Sequence, residues 1–292
     1  MIDVQLLTQA VLPITLALMM LTLGLALTLN DFRRIFNEPK AVLLGVTLQL
    51  VLLPVIAWGL IALTGLFIPL SSVVVIGLIL LAACPGGATS NVISHLSGGD
   101  GALSISMTAV VSLMIPFIIP FSLSYQLQWL GQESMAVQLP IIKTIFQLLL
   151  VTILPVIVGM SLRHIWPATV INIEPWVRKS SGIVFFCLVL TLLIVQWPQL
   201  SEMGVNIGVL CLALCVSSMF LAYGIAIINQ LRDKVRKTLA IEVGIQNAGT
   251  GMFIASVLLV EPELALVPLM YGLVMNVPAF ALIAAHQYKQ HL

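Results

Sequence analysis

The sequence predicts an all-α polytopic membrane protein with nine transmembrane helices. Three observations carry the prediction: extreme apolarity, apolar runs recurring along the whole chain, and basic residues confined to alternate connections. Of 292 residues, 60% are hydrophobic and 8% charged, and mean hydropathy is +1.15. Soluble domains carry roughly 25% charged residues, so the composition excludes a water-soluble enzyme and a disordered chain. A formal net charge of +1, from 12 Lys+Arg against 11 Asp+Glu, leaves no basic field for a nucleic acid.

The spans follow from apolar runs long enough to cross a bilayer. The first, 5–29, carries no Lys or Arg ahead of it, only Asp3, and reads as a retained helix rather than a cleaved signal. It ends at Asn30-Asp31, and Glu38-Pro39 precedes the second, 41–66. Spans 71–97 and 101–128 are divided only by Gly98-Gly99-Asp100. Spans 138–162 and 179–198 flank a polar connection, and Trp197-Pro198 closes the latter. Span 205–230 leads to 235–260, which Glu261-Pro262 separates from the last, 264–287. At about 20–25 residues each, nine spans take on the order of 200 residues and leave only short loops. The four cysteines, Cys84, Cys187, Cys211 and Cys215, lie inside apolar stretches without a CxxC pair and read as small buried residues.

Charge gives the orientation. Arg33, Arg34, Lys40, Arg163, Arg178, Lys179, Arg232, Lys234, Arg236, Lys237 and Lys289 fall in one set of alternate connections and the C-terminal end. Only Lys143 lies on the other side, with Asp3, Glu133, Glu202, Glu261 and Glu263. Basic loops stay in the cytoplasm, so nine spans put the N-terminus outside and the C-terminus inside a cell membrane.

Few strongly polar groups remain at membrane depth. Glu242 is the only carboxylate well inside a span, at an insertion cost of about 2.5–3.5 kcal/mol. Gln246 lies one turn later with Asn247 beside it, and Gly244, Gly249 and Gly251 weaken the helix there. In the other half, Cys84-Pro85-Gly86-Gly87-Ala88-Thr89-Ser90-Asn91 should break the third span. Ser104 and Thr108, four residues apart, share one face of the next span. Non-helical backbone at depth is tolerated where it lines a cavity or is coordinated. Interrupted spans in corresponding positions of two halves point to an inverted-repeat secondary transporter, with the fifth span linking four-span halves. The available ligands are hard oxygens, which suit hard cations. One carboxylate is too little charge for a divalent ion, leaving sodium, with protonation of Glu242 as the rival.

At these residues the chain resembles the bile acid:sodium symporter family, in its bacterial branch. The resemblance rests on Cys84-Pro-Gly-Gly-Ala-Thr-Ser-Asn91, Gly99-Asp-Gly-Ala-Leu-Ser104 running on to Thr108, Glu242-Val-Gly-Ile-Gln-Asn247-Ala-Gly and Gly24-Leu-Ala-Leu-Thr-Leu-Asn-Asp31-Phe. It implies a core domain with two broken, crossing helices (spans 41–66, 71–97, 101–128, 205–230, 235–260 and 264–287) against a panel domain (5–29, 138–162 and 179–198). Ten-helix bacterial relatives have a further helix ahead of the first span drawn here. One sodium site is implied at Ser90, Asn91, Ser104, Thr108 and Glu242. A second is implied at Gln49, Glu242, Gln246 and the backbone carbonyls of Val243 and Ile245. Substrate contacts are implied at Ala88, Thr89, Asn247 and Asn276. The family commonly has Thr-Ala where this chain has Ala88-Thr89, and His95 and Met275 also depart from its pattern.

The resulting expectation is a sodium-coupled symporter importing an organic anion, bile-acid-like or a small carboxylate, by alternating access across a bacterial inner membrane. No cofactor beyond the coupling ion and no transition metal is expected. Two alternatives stand: a proton-coupled or exchanging organic-anion carrier or exporter of the same fold, and an intramembrane enzyme. The enzyme would need paired carboxylates or a Ser–His arrangement at depth, whereas His95, His164, His286 and His291 all lie near span ends.

Overall fold

The structure, a computed structural model, describes residues 4–129, 140–202 and 205–290. Asp3, Glu133 and His291 lie outside the described residues. Every regular element described is a helix. In chain order they are α1 (Leu7–Ala26), α2 (Leu29–Asn37), α3 (Pro39–Gly65), α4 (Ser72–Ala82), α5 (Ala88–Leu96) and α6 (Gly101–Gln126). There follow α7 (Ile141–Ile165), α8 (Pro167–Val195), α9 (Asn206–Ile228), α10 (Asp233–Gly244), α11 (Ala248–Leu258) and α12 (Pro262–Tyr288). Among the described residues, seven of these are long and apolar enough to cross a membrane: α1, α3, α6, α7, α8, α9 and α12. Two shorter apolar helices, α4 and α11, pair with the more polar α5 and α10 across interruptions that fall where the sequence predicts.

Proline shapes the long helices. Widened, π-type turns at Leu7–Val11, Leu48–Leu52 and Leu149–Ile153 each precede a proline, at positions 13, 54 and 155. A proline ring clashes with the carbonyl four residues back, and an extra residue in the preceding turn relieves it. Pro39 and Pro167 instead sit in first turns, where no amide hydrogen is needed. Here the sequence reading needs correction: α8 begins at Pro167 rather than near residue 179, so Arg178 and Lys179 are helical. The polar character of 167–179 suggests a loop, but the segment holds no glycine and its helical face is stabilised by Glu174 and Arg178, 3.4 Å apart and one turn distant.

α1 packs closely on α7 and also against α8. Small residues permit the approach: a β-carbon on Gly159 would lie 2.5 Å from the Leu21 carbonyl oxygen, and one on Gly24 would strike that of Val156. α9 lies along α10 and against α12, while α5 packs on α6 and α10. At one end Lys40 donates to the Asn229 carbonyl at 2.7 Å, and Arg232 pairs with Glu38 at 2.9 Å. The basic connections after α1 and after α9 therefore share one face. Leu70, Ser71, Gln199, Asn206 and Glu263 line a common cavity, which gathers the alternate connections.

Candidate functional site

The two breaks meet. Gly86 and Gln246 form an antiparallel bridge, in which the Gly87 amide donates to the Ile245 carbonyl (3.1 Å) and the Asn247 amide to the Pro85 carbonyl (2.9 Å). Each interruption frees backbone groups that would be costly in hydrocarbon, and each answers the other's need. Tyr271 donates to the Gly244 carbonyl at 2.7 Å, and the Cys215 thiol approaches the same oxygen at 3.2 Å. From this crossing α5 and α11 depart with their N-termini at the centre, so the positive ends of both half-helices converge.

Glu242, 2% exposed, lies at the end of α10 just before the break. Its Oε1 accepts from Ser90 at 2.7 Å and from Ser104, and its Oε2 accepts from Thr108 at 2.9 Å. Asn91 Oδ1 lies 2.8 Å from Ser104 Oγ and 3.1 Å from Thr108 Oγ1, and Ser90 Oγ lies 2.6 Å from the Gly87 carbonyl. All five residues of the first expected ion site are thus brought together, from α5, α6 and α10.

The proton count at this cluster is informative. Each of the three hydroxyls lies within bonding distance of two acceptors but has one hydrogen to give. With Glu242 ionised, half of these oxygen–oxygen contacts have no proton between them. A cation relieves that deficit, as would a proton on Glu242 or an Asn91 amide turned to donate from Nδ2, and the donor set is hard oxygen. Among the described residues no three His, Cys, Asp or Glu side chains gather as a transition-metal group would require.

Of the second expected set, Gln49, Gln246 and the Val243 and Ile245 carbonyls are linked through amides, while the Glu242 carboxylate bonds to the first set. Gln49 sits in the widened turn before Pro54 and donates to Gln246 Oε1 at 2.7 Å and to the Cys84 carbonyl at 3.0 Å. Gln246 Nε2 donates to the Val243 carbonyl at 2.6 Å, and the Ile245 carbonyl serves the bridge. The Val243 carbonyl keeps a second lone pair beside the one that Gln246 occupies.

The four expected substrate contacts divide. Asn247 caps α11, its Oδ1 accepting from the Thr250 amide at 3.1 Å, while its buried Nδ2 has no partner among the described residues. Ala88 and Thr89 open α5, half-buried and exposed respectively. Asn276 turns back to the Gly272 and Leu273 carbonyls of its own helix, at 2.7 and 3.2 Å, and bonds none of the other three.

A family model described as the sodium bile acid symporter family matches residues 13–203, more than half of the chain. The chain belongs to that family. It is therefore a membrane transporter and not an enzyme. The chain is 27% identical over 244 residues to the uncharacterized sodium-dependent transporter YocS of Bacillus subtilis, covering 83% of this chain and 73% of that protein. It is 29% identical over 258 residues to a probable chloroplastic sodium/metabolite cotransporter, BASS2, of Oryza sativa, covering 86% of this chain and 57% of the relative. Human sodium/bile acid cotransporter 4 is 28% identical over 236 residues, 80% of this chain and 52% of its own length. The chain thus spans little more than half of the latter two relatives.

In this symporter-family chain, sequence reasoning missed three groups. Thr250 Oγ1, fully buried beside Asn247, has no partner among the described residues, and a lone threonine in an apolar helix gives no signal. Ser94 and Thr238 share a hydrogen bond at 2.9 Å, and Thr238 Oγ1 also receives the Asp100 amide at 2.7 Å, tying α5, α10 and the start of α6 together below Glu242. Tyr271, which supports the break in α10–α11, is one aromatic among many.

Proposed function

We propose that the protein is a sodium-coupled symporter that carries an organic anion inward by alternating access. The cluster around Glu242 supports this most directly: six side-chain oxygens share three hydroxyl protons in a buried space where a sodium ion would supply the missing positive charge. In this reading Ser90, Asn91, Ser104, Thr108 and Glu242 hold one ion. Gln49, Glu242, Gln246 and the Val243 and Ile245 carbonyls hold a second.

The interrupted pairs α4–α5 and α10–α11 each count as one crossing, giving nine. The packing supports a panel of α1, α7 and α8 and a core built from α3 to α6 and α9 to α12. Ions captured at the crossing tie the two broken helices, and the core then moves against the panel. The converging half-helix N-termini, with Asn247 Nδ2 and Thr250 Oγ1 beside them, suit an anionic substrate such as a bile-acid-like molecule or a small carboxylate. The basic face is cytoplasmic and the membrane a bacterial inner membrane, with the N-terminus outside and the C-terminus inside.

Two sodium ions with one monoanion move one net charge inward. A tenfold sodium gradient supplies about 1.4 kcal/mol per ion, and an inside-negative 100 mV adds about 2.3 kcal/mol. Together they give roughly 5 kcal/mol, enough for accumulation of a few thousandfold.

The test is uptake into proteoliposomes of a panel of labelled organic anions, a bile acid and small 2-oxo and hydroxy acids, with sodium or choline outside. Sodium-driven, electrogenic uptake that disappears in Glu242→Ala is the expected result. Uptake that continues unchanged in choline and follows an imposed pH gradient would replace the reading with proton coupling.

A further inference from the structure

Away from the crossing, a groove of about 530 Å³ runs between α9, α10 and α12. Its lining includes none of Gln49, Ser90, Asn91, Ser104, Thr108, Glu242 or Gln246, although Ile241 is the neighbour of Glu242 on α10. Its wall is apolar along most of its length, with Val216, Phe220, Ala281 and Leu282 among the lining residues. Phe220 is 75% exposed, so this wall opens toward the surface that a membrane protein presents to lipid.

One end differs. Tyr223, Lys237, His286 and Ser97 lie where the three helices approach the basic connections. The α9–α10 connection and first turns of α10 carry Arg232, Lys234, Arg236 and Lys237 against a single acid, Asp233, an excess of positive charge. Lys237 pairs with Asp233 at 3.0 Å, Tyr223 donates to the same carboxylate at 3.1 Å, and Arg232 pairs with Glu38, so four cations stand against two acids in this stretch. His286 is held against the turn at Gly98, where φ is +73° and a β-carbon would strike the imidazole. Most telling is Ser97. It lines the groove, is 3% exposed, and its Oγ has no hydrogen-bond partner among the described residues. A buried hydroxyl left unpaired is costly in apolar surroundings, and here it borders the groove at its charged end.

We propose that this groove holds one anionic phospholipid. An acyl chain lies along the apolar wall, and the headgroup phosphate accepts from Ser97 Oγ and from Lys237, the one lysine or arginine among the lining residues. A pocket between membrane helices that is apolar in depth and basic at the interface matches the chemistry of an anionic lipid headgroup with its tail. The volume lies within the range of specific small-ligand sites.

Native mass spectrometry of the full-length protein, released from mild detergent with phosphatidylglycerol or phosphatidylcholine added, tests the assignment. One phosphatidylglycerol should survive at activation energies that strip phosphatidylcholine. Ala285→Trp, which fills the groove, should lower retention at least tenfold. Lys237→Gln and Ser97→Ala should each reduce the preference for the anionic headgroup, and they serve if the tryptophan variant fails to fold. Equal retention of the two lipids by the unmodified protein would overturn the proposal. So would phosphatidylglycerol retention unchanged in Ala285→Trp, or an anionic preference unaltered in both polar variants.

Discussion

Gly86 stands directly against Glu242: a β-carbon at position 86 would lie 2.7 Å from the carboxylate Oε2 and 3.3 Å from the Glu242 carbonyl oxygen. The break in one half of the protein thus comes within contact distance of the acid in the other, and only the absence of a side chain permits it. Gly86→Ala must push the carboxylate away from Thr108, at an overpacking cost of about 1–3 kcal/mol. The expected outcome is a folded protein whose melting temperature no longer rises when sodium chloride replaces choline chloride.

Sodium itself should stabilise the unmodified protein. An ion that binds only the folded state at a hundred times its dissociation constant adds about 2.7 kcal/mol per site. Thermal unfolding across a sodium titration at constant ionic strength measures this. A curve that choline reproduces would count against ion binding at Glu242.

Ser104 faces both Glu242 Oε1 and Asn91 Oδ1 from α6. Removing its oxygen by Ser104→Ala deletes one ligand and leaves the carboxylate in place. Hydrogen bonds to charged groups are worth about 1.5–3 kcal/mol, so apparent sodium affinity should fall roughly ten- to a hundredfold. The shift in sodium midpoint, by unfolding or by uptake, reports it.

Gln246 joins the second set of oxygens, and Gln246→Ala should remove that ion while leaving the Ser90, Ser104 and Thr108 contacts of Glu242 untouched. The sodium dependence of uptake should then lose its sigmoidal form, with a Hill coefficient falling from about two toward one. A coefficient unchanged in this variant would argue for a single coupling ion.

Tyr271→Phe removes the hydroxyl that serves the freed Gly244 carbonyl and leaves only the weaker Cys215 thiol. The loss should be about 1 kcal/mol of stability, read by chemical unfolding in detergent.

Much of this arrangement was legible in the sequence because its signals are chemically extreme. A proline beside two glycines in an apolar run, and a carboxylate followed by two amides in another, each stand out against hydrocarbon. They place both interruptions and nearly the whole oxygen cluster. Gln49 was implied only by the family resemblance, and it occupies the widened turn before Pro54. Ser94, Thr238 and Thr250 were invisible for the opposite reason, since single hydroxyls are ordinary in membrane helices and only their neighbours in space distinguish them. The early start of α8 was missed because polar side chains together with an internal proline, Pro175, resemble the composition of a loop.

The reciprocal amide contacts between Pro85–Gly87 and Ile245–Asn247 bear on how strain travels. Two chain segments, distant in sequence, are laced together by these two bonds and by the Ser90–Glu242 and Ser94–Thr238 contacts, so pulling either one away from its counterpart would have to break them.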